Sequence, residues 1–214
     1  MNPVSASALV AAAVVAAADW IAVATGRRRA EMATKPLVIL LLLGAAIALT
    51  PIDAGMRALF VAALALSAVG DAALLAAPRW FPAGLAAFLL AHLAYIAGLL
   101  QIHGSSATLA AGLIFVGLAG IFVGIPIVRG AMERSGAALG LAVVAYLAVI
   151  SATVVVAGLS HLTLARIGAV FLYASDGILG WNRFVVPIPQ GRLLTRIAYH
   201  LGQALMVLSL VRLG

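Results

Sequence analysis

Long apolar runs, separated by short segments with charge, proline or glycine, repeat along the whole chain. The runs cover residues 4–24, 36–50, 56–77, 82–101, 106–128, 137–157, 162–180 and 193–213. A helix needs about 20 mostly apolar residues to cross a bilayer, and most of the runs have about that length. The pattern therefore predicts an all-α, polytopic membrane protein: an eight-helix transmembrane bundle that forms a single integral membrane domain over residues 1–214.

The first two runs have unusual flanks. The first run has no basic residue before it and is followed by Arg27, so we interpret it as a retained span and not as a signal peptide. The second run has only about 15 residues, roughly 23 Å of helix, which is short for a bilayer. We therefore expect Lys35 to open helix 2 and either to extend its ammonium group to the membrane boundary or to lie where the bilayer thins locally.

Composition restricts the class of protein further. Of the residues, 65% are hydrophobic and 9% are charged, and the mean hydropathy is +1.22. These values exclude a soluble globular protein, in which about a quarter of the residues are charged. The net charge is +7, but the basic residues form short clusters between the runs, so we expect no nucleic-acid partner. The absence of cysteine excludes disulfides and thiolate sites.

The basic residues are unevenly distributed between the two sets of loops. The loops after helices 1, 3, 5 and 7 hold most of them, whereas the other loops hold little beyond Arg57. Because Lys and Arg are enriched in cytoplasmic loops, we expect the odd-numbered loops to face the cytoplasm and both termini to lie outside a bacterial-type cell membrane. Trp20, Trp80 and Trp181 then lie at the inner boundary, where interfacial aromatic residues are common.

Few polar side chains lie inside the spans. Because such groups are costly in a bilayer unless they face a cavity or a partner, they are the candidate functional residues. Three acids, Asp19, Asp71 and Asp176, fall near the inner ends of helices 1, 3 and 7. The other candidates are Lys35 on helix 2 and a set on helices 4, 7 and 8: His92, Tyr95, Tyr173, Arg196, Tyr199, His200 and Gln203. We expect all of them to converge on the inner half of the bundle.

Two of the acids occupy similar local sequences. Asp71 lies in SAVGDAAL and Asp176 in FLYASDGIL, and the small neighbours allow close helix approach to one pocket. The similarity also suggests two four-helix halves in parallel repeat. One protonated and one ionised carboxyl group suit acid and base catalysis of hydrolysis, or a proton relay. A structural alternative is a buried ion pair, either Asp71 with Lys35 or Asp176 with Arg196.

Five segments carry a family resemblance: TKPL at 34–37, SAVGDAALL at 67–75, FLLAHLAY at 88–95, GAVFLYASDGIL at 168–179 followed by Phe184, and YHLGQAL at 199–205. Each is short, but their joint occurrence in this order over nearly the whole chain resembles the YhhN family of membrane proteins, the lysoplasmalogenases or alkenyl ether hydrolases. The segment at 180–182 (GWN) and the loop at 187–189 (PIP) depart from the expected pattern.

The resemblance implies hydrolysis of the vinyl ether bond of a lysoplasmalogen to a fatty aldehyde and a glycerophospho-base. Asp71 and Asp176 are then the catalytic acid and base, in an order that the sequence leaves open. Protonation of the outer vinyl carbon gives an oxocarbenium ion that water captures, so we expect no metal or other cofactor. Lys35 and Arg196 are candidates for binding the phosphate, and Asp19 and the other polar residues named above are candidates for contacting the substrate.

The expected partners are a lysophospholipid substrate and membrane lipid, and the sequence does not indicate an oligomeric state. Two alternatives remain. A zinc-dependent lipid hydrolase resembling alkaline ceramidases would use His92, His200 and an Asp as ligands. A small proton-coupled transporter would also use intramembrane acids, but it needs a polar path to both faces, and the outer halves of the spans are almost entirely Ala, Leu, Val and Ile.

Overall fold

The computed structural model describes residues 2–102 and 109–211, which form eight helices. These are α1 (Pro3–Ala24), α2 (Arg28–Ala48), α3 (Ala54–Ala76), α4 (Phe81–Leu99), α5 (Leu109–Ser135), α6 (Ala137–Leu159), α7 (Thr163–Phe184) and α8 (Gly191–Leu208). A short 3-10 turn, Pro78–Trp80, leads into α4, and a π turn, Gly120–Gly124, interrupts α5. The described residues form no strand, and the prediction of an all-α, eight-helix membrane bundle is confirmed.

The helices differ in how they meet the bilayer. Helices α1 to α6 are long and apolar enough to cross it, whereas α7 and α8 carry more polar residues. On α8 the polar side chains of Arg196 and Gln203 are buried, while Leu194 and Leu201 on the other side are exposed. A helix with its apolar side outward and its polar side inward is typical of a membrane bundle that encloses a polar site.

The order of neighbouring helices closes a ring. Going round it, α1 packs on α2, then come α3, α4, α6, α7 and α8, and α8 packs again on α1. Helix α8 also contacts α2 and α3, so it faces the centre of the ring. Helix α5 lies outside the ring against α6 and α7, which explains why its segment Leu109–Ala119 has no buried residue.

Contacts at the helix ends and in the adjoining turns define the two ends of the bundle. At one end, the side chain of Asn2 donates a hydrogen bond to the carbonyl of Ala48, and the Ile52 amide donates to the Leu210 carbonyl at 2.9 Å. At the other end, the Arg28 guanidinium donates to the Leu75 carbonyl at 2.9 Å. This second end, where α2, α4, α6 and α8 begin, is called the mouth end below.

The start of α2 differs from the prediction. The helix begins at Arg28 and not at residue 36, and it continues through Pro36. Glu31 in its first turn favours this start, because a carboxylate stabilises the positive end of the helix dipole. With 21 residues, α2 is about 32 Å long and no longer short for a bilayer. The expectation that Lys35 opens the helix was therefore wrong, since Lys35 lies about two turns inside it.

Other predicted boundaries changed less. Helix α5 extends to Ser135 instead of 128, α7 extends to Phe184 instead of 180, and α8 ends at Leu208. The predicted first residues of helix 5, 106–108, and the last of helix 8, 212–213, lie outside the described residues.

A close contact between α5 and α7 tests this packing. A Cβ atom added to Gly130 would lie 1.9 Å from the carbonyl oxygen of Phe184, whereas one added to Gly117 on the same helix meets nothing within 4 Å. We expect Gly130→Ala to lower the free energy of unfolding by about 1–3 kcal/mol or more, because the backbone of α5 or α7 must move to relieve the clash. Thermal denaturation in detergent measures the change, and an equal loss in Gly117→Ala would contradict the assigned contact.

Candidate functional site

A cavity of about 200 Å³ opens at the mouth end of the bundle. Its lining contains most of the buried charged residues, together with a few apolar side chains. The lining residues are Arg28, Glu31, Lys35, Asp71, Leu74, Leu75, Phe88, Ser175, Asp176, Leu179, Asn182, Arg192, Thr195, Arg196 and Tyr199. Helices α3 and α7 thus present Asp71 and Asp176 to the same cavity, as the matching depth of the two acids predicted.

Asp71 is held in a buried ion pair. Its Oδ1 atom lies 2.7 Å from the Lys35 Nζ, and its Oδ2 accepts a hydrogen bond from the Tyr199 hydroxyl at 3.0 Å. The side chain of Asp71 is 0% exposed and that of Lys35 is 10% exposed. A charge this deeply buried is tolerated only with such partners, and the Lys35 ammonium and the Tyr199 hydroxyl supply them. The structural ion pair considered from the sequence is therefore present on α2 and α3.

Asp176 has a different kind of environment. Its Oδ2 accepts a hydrogen bond from the Tyr146 hydroxyl at 2.8 Å and lies 3.3 Å from the Nε2 of His92. The alternative in which Asp176 forms an ion pair with Arg196 is not found, because Arg196 contacts Glu31 and Asp19. Asp176 is therefore contacted by an imidazole and a phenol, and its side chain retains 13% exposure to the cavity.

The hydrogen bonds of His92 restrict where a proton lies. The Thr153 hydroxyl donates to the Val149 carbonyl at 3.0 Å, so the Thr153 oxygen accepts from the Nδ1 of His92 at 3.1 Å. With a proton on Nδ1, the contact between Nε2 and Asp176 is favourable only if a further proton lies between them. A proton that makes this contact favourable lies between Asp176 Oδ2 and His92 Nε2, on the carboxyl group or on the imidazole.

Arg196 joins two acids instead of contacting Asp176. Its Nη2 atom lies 2.6 Å from Glu31 Oε1, and its Nε lies 3.6 Å from Asp19 Oδ2. Asp19 also accepts a hydrogen bond from the Thr34 hydroxyl at 2.7 Å. Arg192 adds a second contact to Glu31, at 2.7 Å. Asp19 lies behind the cavity lining and acts on the cavity through Arg196.

A second cavity, almost entirely apolar, adjoins the first. It is narrow, about 30 Å³, and lies among α3, α4, α5, α6 and α7. It is lined by Leu74, Phe81, Leu85, Phe88, Ile127, Val143, Tyr146, Leu147, Asp176, Leu179, Gly180 and Phe184. Four of these residues also line the polar cavity, and among these four only Asp176 is ionisable. Asp176 therefore stands where a polar compartment meets an apolar one.

Several predicted site residues do not line either cavity. Tyr95 donates its hydroxyl hydrogen to Gln203 Oε1, and Gln203 Nε2 donates to Ser67 at 3.1 Å, which forms a buried polar layer beside the site. His200 accepts a hydrogen bond from the Trp20 indole at 3.1 Å.

Tyr173 lies in a third location. Its ring packs edge-on against Phe115 at 5.4 Å between centroids, and it lines a lateral groove with Gly120 and Gly124. The structure thus separates Tyr173 from Asp176, although both are on α7. A substrate contact by Tyr173 would have to occur in that groove.

The sequence analysis missed several site residues, among them Glu31, Tyr146 and Thr153. Glu31 is one of only six acidic residues in the chain, which was a usable signal. Tyr146 and Thr153 are seven residues apart, on one face of the otherwise apolar α6. Polar residues with helical spacing in an apolar span mark a face that points into the bundle.

The geometry bears on both alternative functions. Among the described residues, no three His, Asp or Glu side chains are arranged to hold a metal ion, and the two histidines proposed as zinc ligands have separate partners, Asp176 and Trp20. The half of the bundle away from the mouth end is filled by buried side chains such as Met56, Phe60 and Leu210. The described part of the chain therefore offers a cavity with access from one end, which suits a pocket better than a carrier.

Comparison with known proteins places the chain in a family. The family model described as the YhhN family matches residues 30–210. Human lysoplasmalogenase TMEM86B is 33% identical over 178 residues, which are 83% of this chain and 74% of the human protein. The Sus scrofa protein of that name is 34% identical over 75% of this chain and 68% of its own length.

A bacterial relative extends the comparison. A lysoplasmalogenase of Mycobacterium bovis is 37% identical over 172 residues, which are 76% of this chain and 63% of the mycobacterial protein. No solved structure matches the chain significantly. The family match covers every residue that lines the two cavities except Arg28, and on this basis the chain belongs to the YhhN family.

Proposed function

We propose that the protein is a lysoplasmalogenase, which hydrolyses the vinyl ether bond of a lysoplasmalogen to a fatty aldehyde and a glycerophospho-base. The observation that carries the proposal is the position of Asp176 between a charged cavity and an apolar one. Relatives of human and bacterial origin that are named lysoplasmalogenase support it.

The two cavities correspond to the two parts of such a substrate. A lysoplasmalogen has a zwitterionic or polar head and one hydrocarbon chain, and the vinyl ether bond lies where they meet. With the head in the polar cavity and the chain directed into the apolar cavity, this bond lies next to Asp176. The apolar cavity is narrow, so its side chains must rotate to admit the chain.

Asp176 is the proposed general acid. The proton that it shares with His92 transfers to the outer vinyl carbon, and the ether oxygen then stabilises the resulting oxocarbenium ion. Thr153 keeps the Nδ1 proton of His92 in place, so that the Nε2 side of the ring remains directed at Asp176. Tyr146 supports the carboxylate that remains after the transfer by donating a hydrogen bond.

Asp71 is the proposed carboxylate partner. Held ionised by Lys35, it lowers the energy of the developing cation and orients the attacking water. Water adds to the carbon bonded to oxygen, and its proton passes to a carboxylate, which gives a hemiacetal. Breakdown of the hemiacetal releases aldehyde and the glycerol hydroxyl, so the sum of the steps is addition of one water molecule.

The proposed orientation follows from the charges at the mouth end. Arg28, Arg134, Arg183 and Arg192 lie at this end, whereas Arg57 and Arg166 lie near the opposite end. Since basic residues favour the cytoplasmic side, the site opens to the cytoplasm and Asn2 lies on the outer side. A lysolipid then enters from the inner leaflet.

The sharpest test of the mechanism is Asp176→Asn. The amide keeps the size of the side chain but has no proton to transfer to carbon, so kcat for aldehyde release from choline lysoplasmalogen should fall by roughly 10²–10⁴. Because the partners of Asp176 are His92 and Tyr146 and not a fixed cation, folding should survive. Glu133→Gln, at an exposed acid on α5, is the matched control and should retain activity.

The substitution Asp71→Asn distinguishes a catalytic role of Asp71 from a purely structural role in its ion pair with Lys35. A catalytic carboxylate predicts loss of kcat in folded protein. A structural pair predicts loss of folded protein in detergent, because an unpaired buried Lys35 costs about 3–5 kcal/mol, with near-normal specific activity in the remainder. Measuring kcat and the folded fraction on the same sample distinguishes the two, and the second pattern would remove Asp71 from the mechanism.

Two carboxyl groups supply both proton transfers in this mechanism, so it requires no metal. Extensive dialysis against a chelator should leave the rate of aldehyde release unchanged. If dialysis abolished turnover and added zinc restored it, the ceramidase-like mechanism would replace the one proposed here.

A reporter fused after Gly214 tests the orientation. The distribution of basic residues predicts that a reporter active only in the cytoplasm is inactive at this position, and that one active only outside the cytoplasm is active. The same reporters inserted at Arg79, in the turn between α3 and α4, should give the opposite pattern. Cytoplasmic activity after Gly214 would reverse the proposed orientation.

A further inference from the structure

We propose that Arg28 and Arg192 bind the phosphodiester group of the substrate at the mouth of the polar cavity. This inference rests on the proposed function and assigns one part of the substrate to two side chains. From the sequence, Lys35 and Arg196 were the candidates for this role. The contacts in the structure favour a different pair.

Lys35 and Arg196 are already committed to buried carboxylates. Lys35 lies 2.7 Å from Asp71, and Arg196 lies 2.6 Å from Glu31 and 3.6 Å from Asp19. Each of the two cationic side chains is only 10% exposed. To bind a phosphate, either would have to leave a carboxylate that then remains buried without its partner, which is costly.

Arg28 and Arg192 are positioned but remain accessible. Their side chains are 51% and 65% exposed, and both line the polar cavity. Arg28 lies 3.3 Å from Glu31 Oε1, and Arg192 lies 2.7 Å from Glu31 Oε2. One buried carboxylate thus holds both guanidinium groups. Since a guanidinium has five N–H donors, these contacts leave capacity for phosphate oxygens.

The charge at the mouth matches a phosphodiester. Three guanidinium groups, those of Arg28, Arg192 and Arg196, are in contact with the carboxylates of Glu31 and Asp19, while Asp71 is neutralised by Lys35. Within this cluster the cations outnumber the carboxylates by one, and a phosphodiester carries one negative charge.

The N-terminal ends of two helices add to the positive charge at the mouth. Helix α2 begins at Arg28 and α8 begins at Gly191, next to Arg192, so the positive ends of these two helices lie beside the two arginines. The same features that attract a phosphodiester attract free phosphate, so the test must separate the two sources.

The test compares two substrates that differ by the phosphodiester group. Choline lysoplasmalogen carries it, and a 1-alkenylglycerol with the same chain does not. For purified Arg28→Gln and Arg192→Gln, we expect KM for the lysoplasmalogen to rise about tenfold and kcat to change less than twofold, because the lost contact is distant from the reacting carbon. For the alkenylglycerol, KM should change less than twofold in both variants.

Arg79→Gln is the matched control. Arg79 is an exposed arginine at the same end of the bundle that does not line the cavity, so its loss removes the same charge without touching the site. It should leave KM unchanged for both substrates. Activity on the alkenylglycerol also reports the amount of folded enzyme, so a variant that unfolds is recognised by loss of both activities.

Several results would overturn the inference. A similar KM rise for both substrates would show that the arginines maintain the structure, and a KM rise in Arg79→Gln would show a general surface charge effect. If inorganic phosphate inhibits the wild type competitively while Arg28→Gln and Arg192→Gln leave KM unchanged, the site binds free phosphate and not the substrate. If the wild type cleaves neither substrate, the proposed function itself fails.

Discussion

Charge compensation inside a low-dielectric bundle is the constraint that organises this protein. A charged side chain in the membrane needs a partner, and the partners here lie on different helices. Lys35 ties α2 to α3 through Asp71, and Arg196 ties α8 to α1 and α2 through Asp19 and Glu31. These pairs determine which helices surround the polar cavity. The rest of the ring, including α5 on its outside, packs mainly through small and aliphatic side chains.

The number of helices follows directly from the apolar runs, because the length that a bilayer requires is a strong local signal. The start of α2 does not follow from the apolar runs, because a proline and a cluster of charges next to such a run are typical of a loop. What stabilises the helix there is tertiary: Glu31 meets Arg192 and Arg196, about 160 residues further along the chain. No local pattern contains that contact, and about two additional turns at the start of the helix place Lys35 in the site instead of at the boundary.

For the site, the sequence identified which residues face the cavity better than it identified the side chains that each of them contacts. Asp71 and Asp176 share a cavity, as their depth suggested, but Asp176 contacts His92 and Tyr146 in place of Arg196. Pairing depends on side-chain directions across the bundle, and these are set by helix rotation, which hydropathy does not determine. Tyr173 shows the same limit. It is three residues from Asp176, yet it packs towards α5 because its ring fits against Phe115.

The meeting of a charged cavity and an apolar one has a consequence for what happens after bond cleavage. A fatty aldehyde and a glycerophospho-base differ greatly in solubility, and each compartment favours one of them. In the proposed mechanism, the aldehyde forms next to the apolar cavity and partitions into the hydrocarbon of the bilayer, whereas the base forms in the polar cavity and leaves through the mouth. Since the two products leave into different phases, their chance of meeting again at Asp176 is small. Separation of the products into two phases thus disfavours their recombination, and it leaves a reactive aldehyde in the membrane.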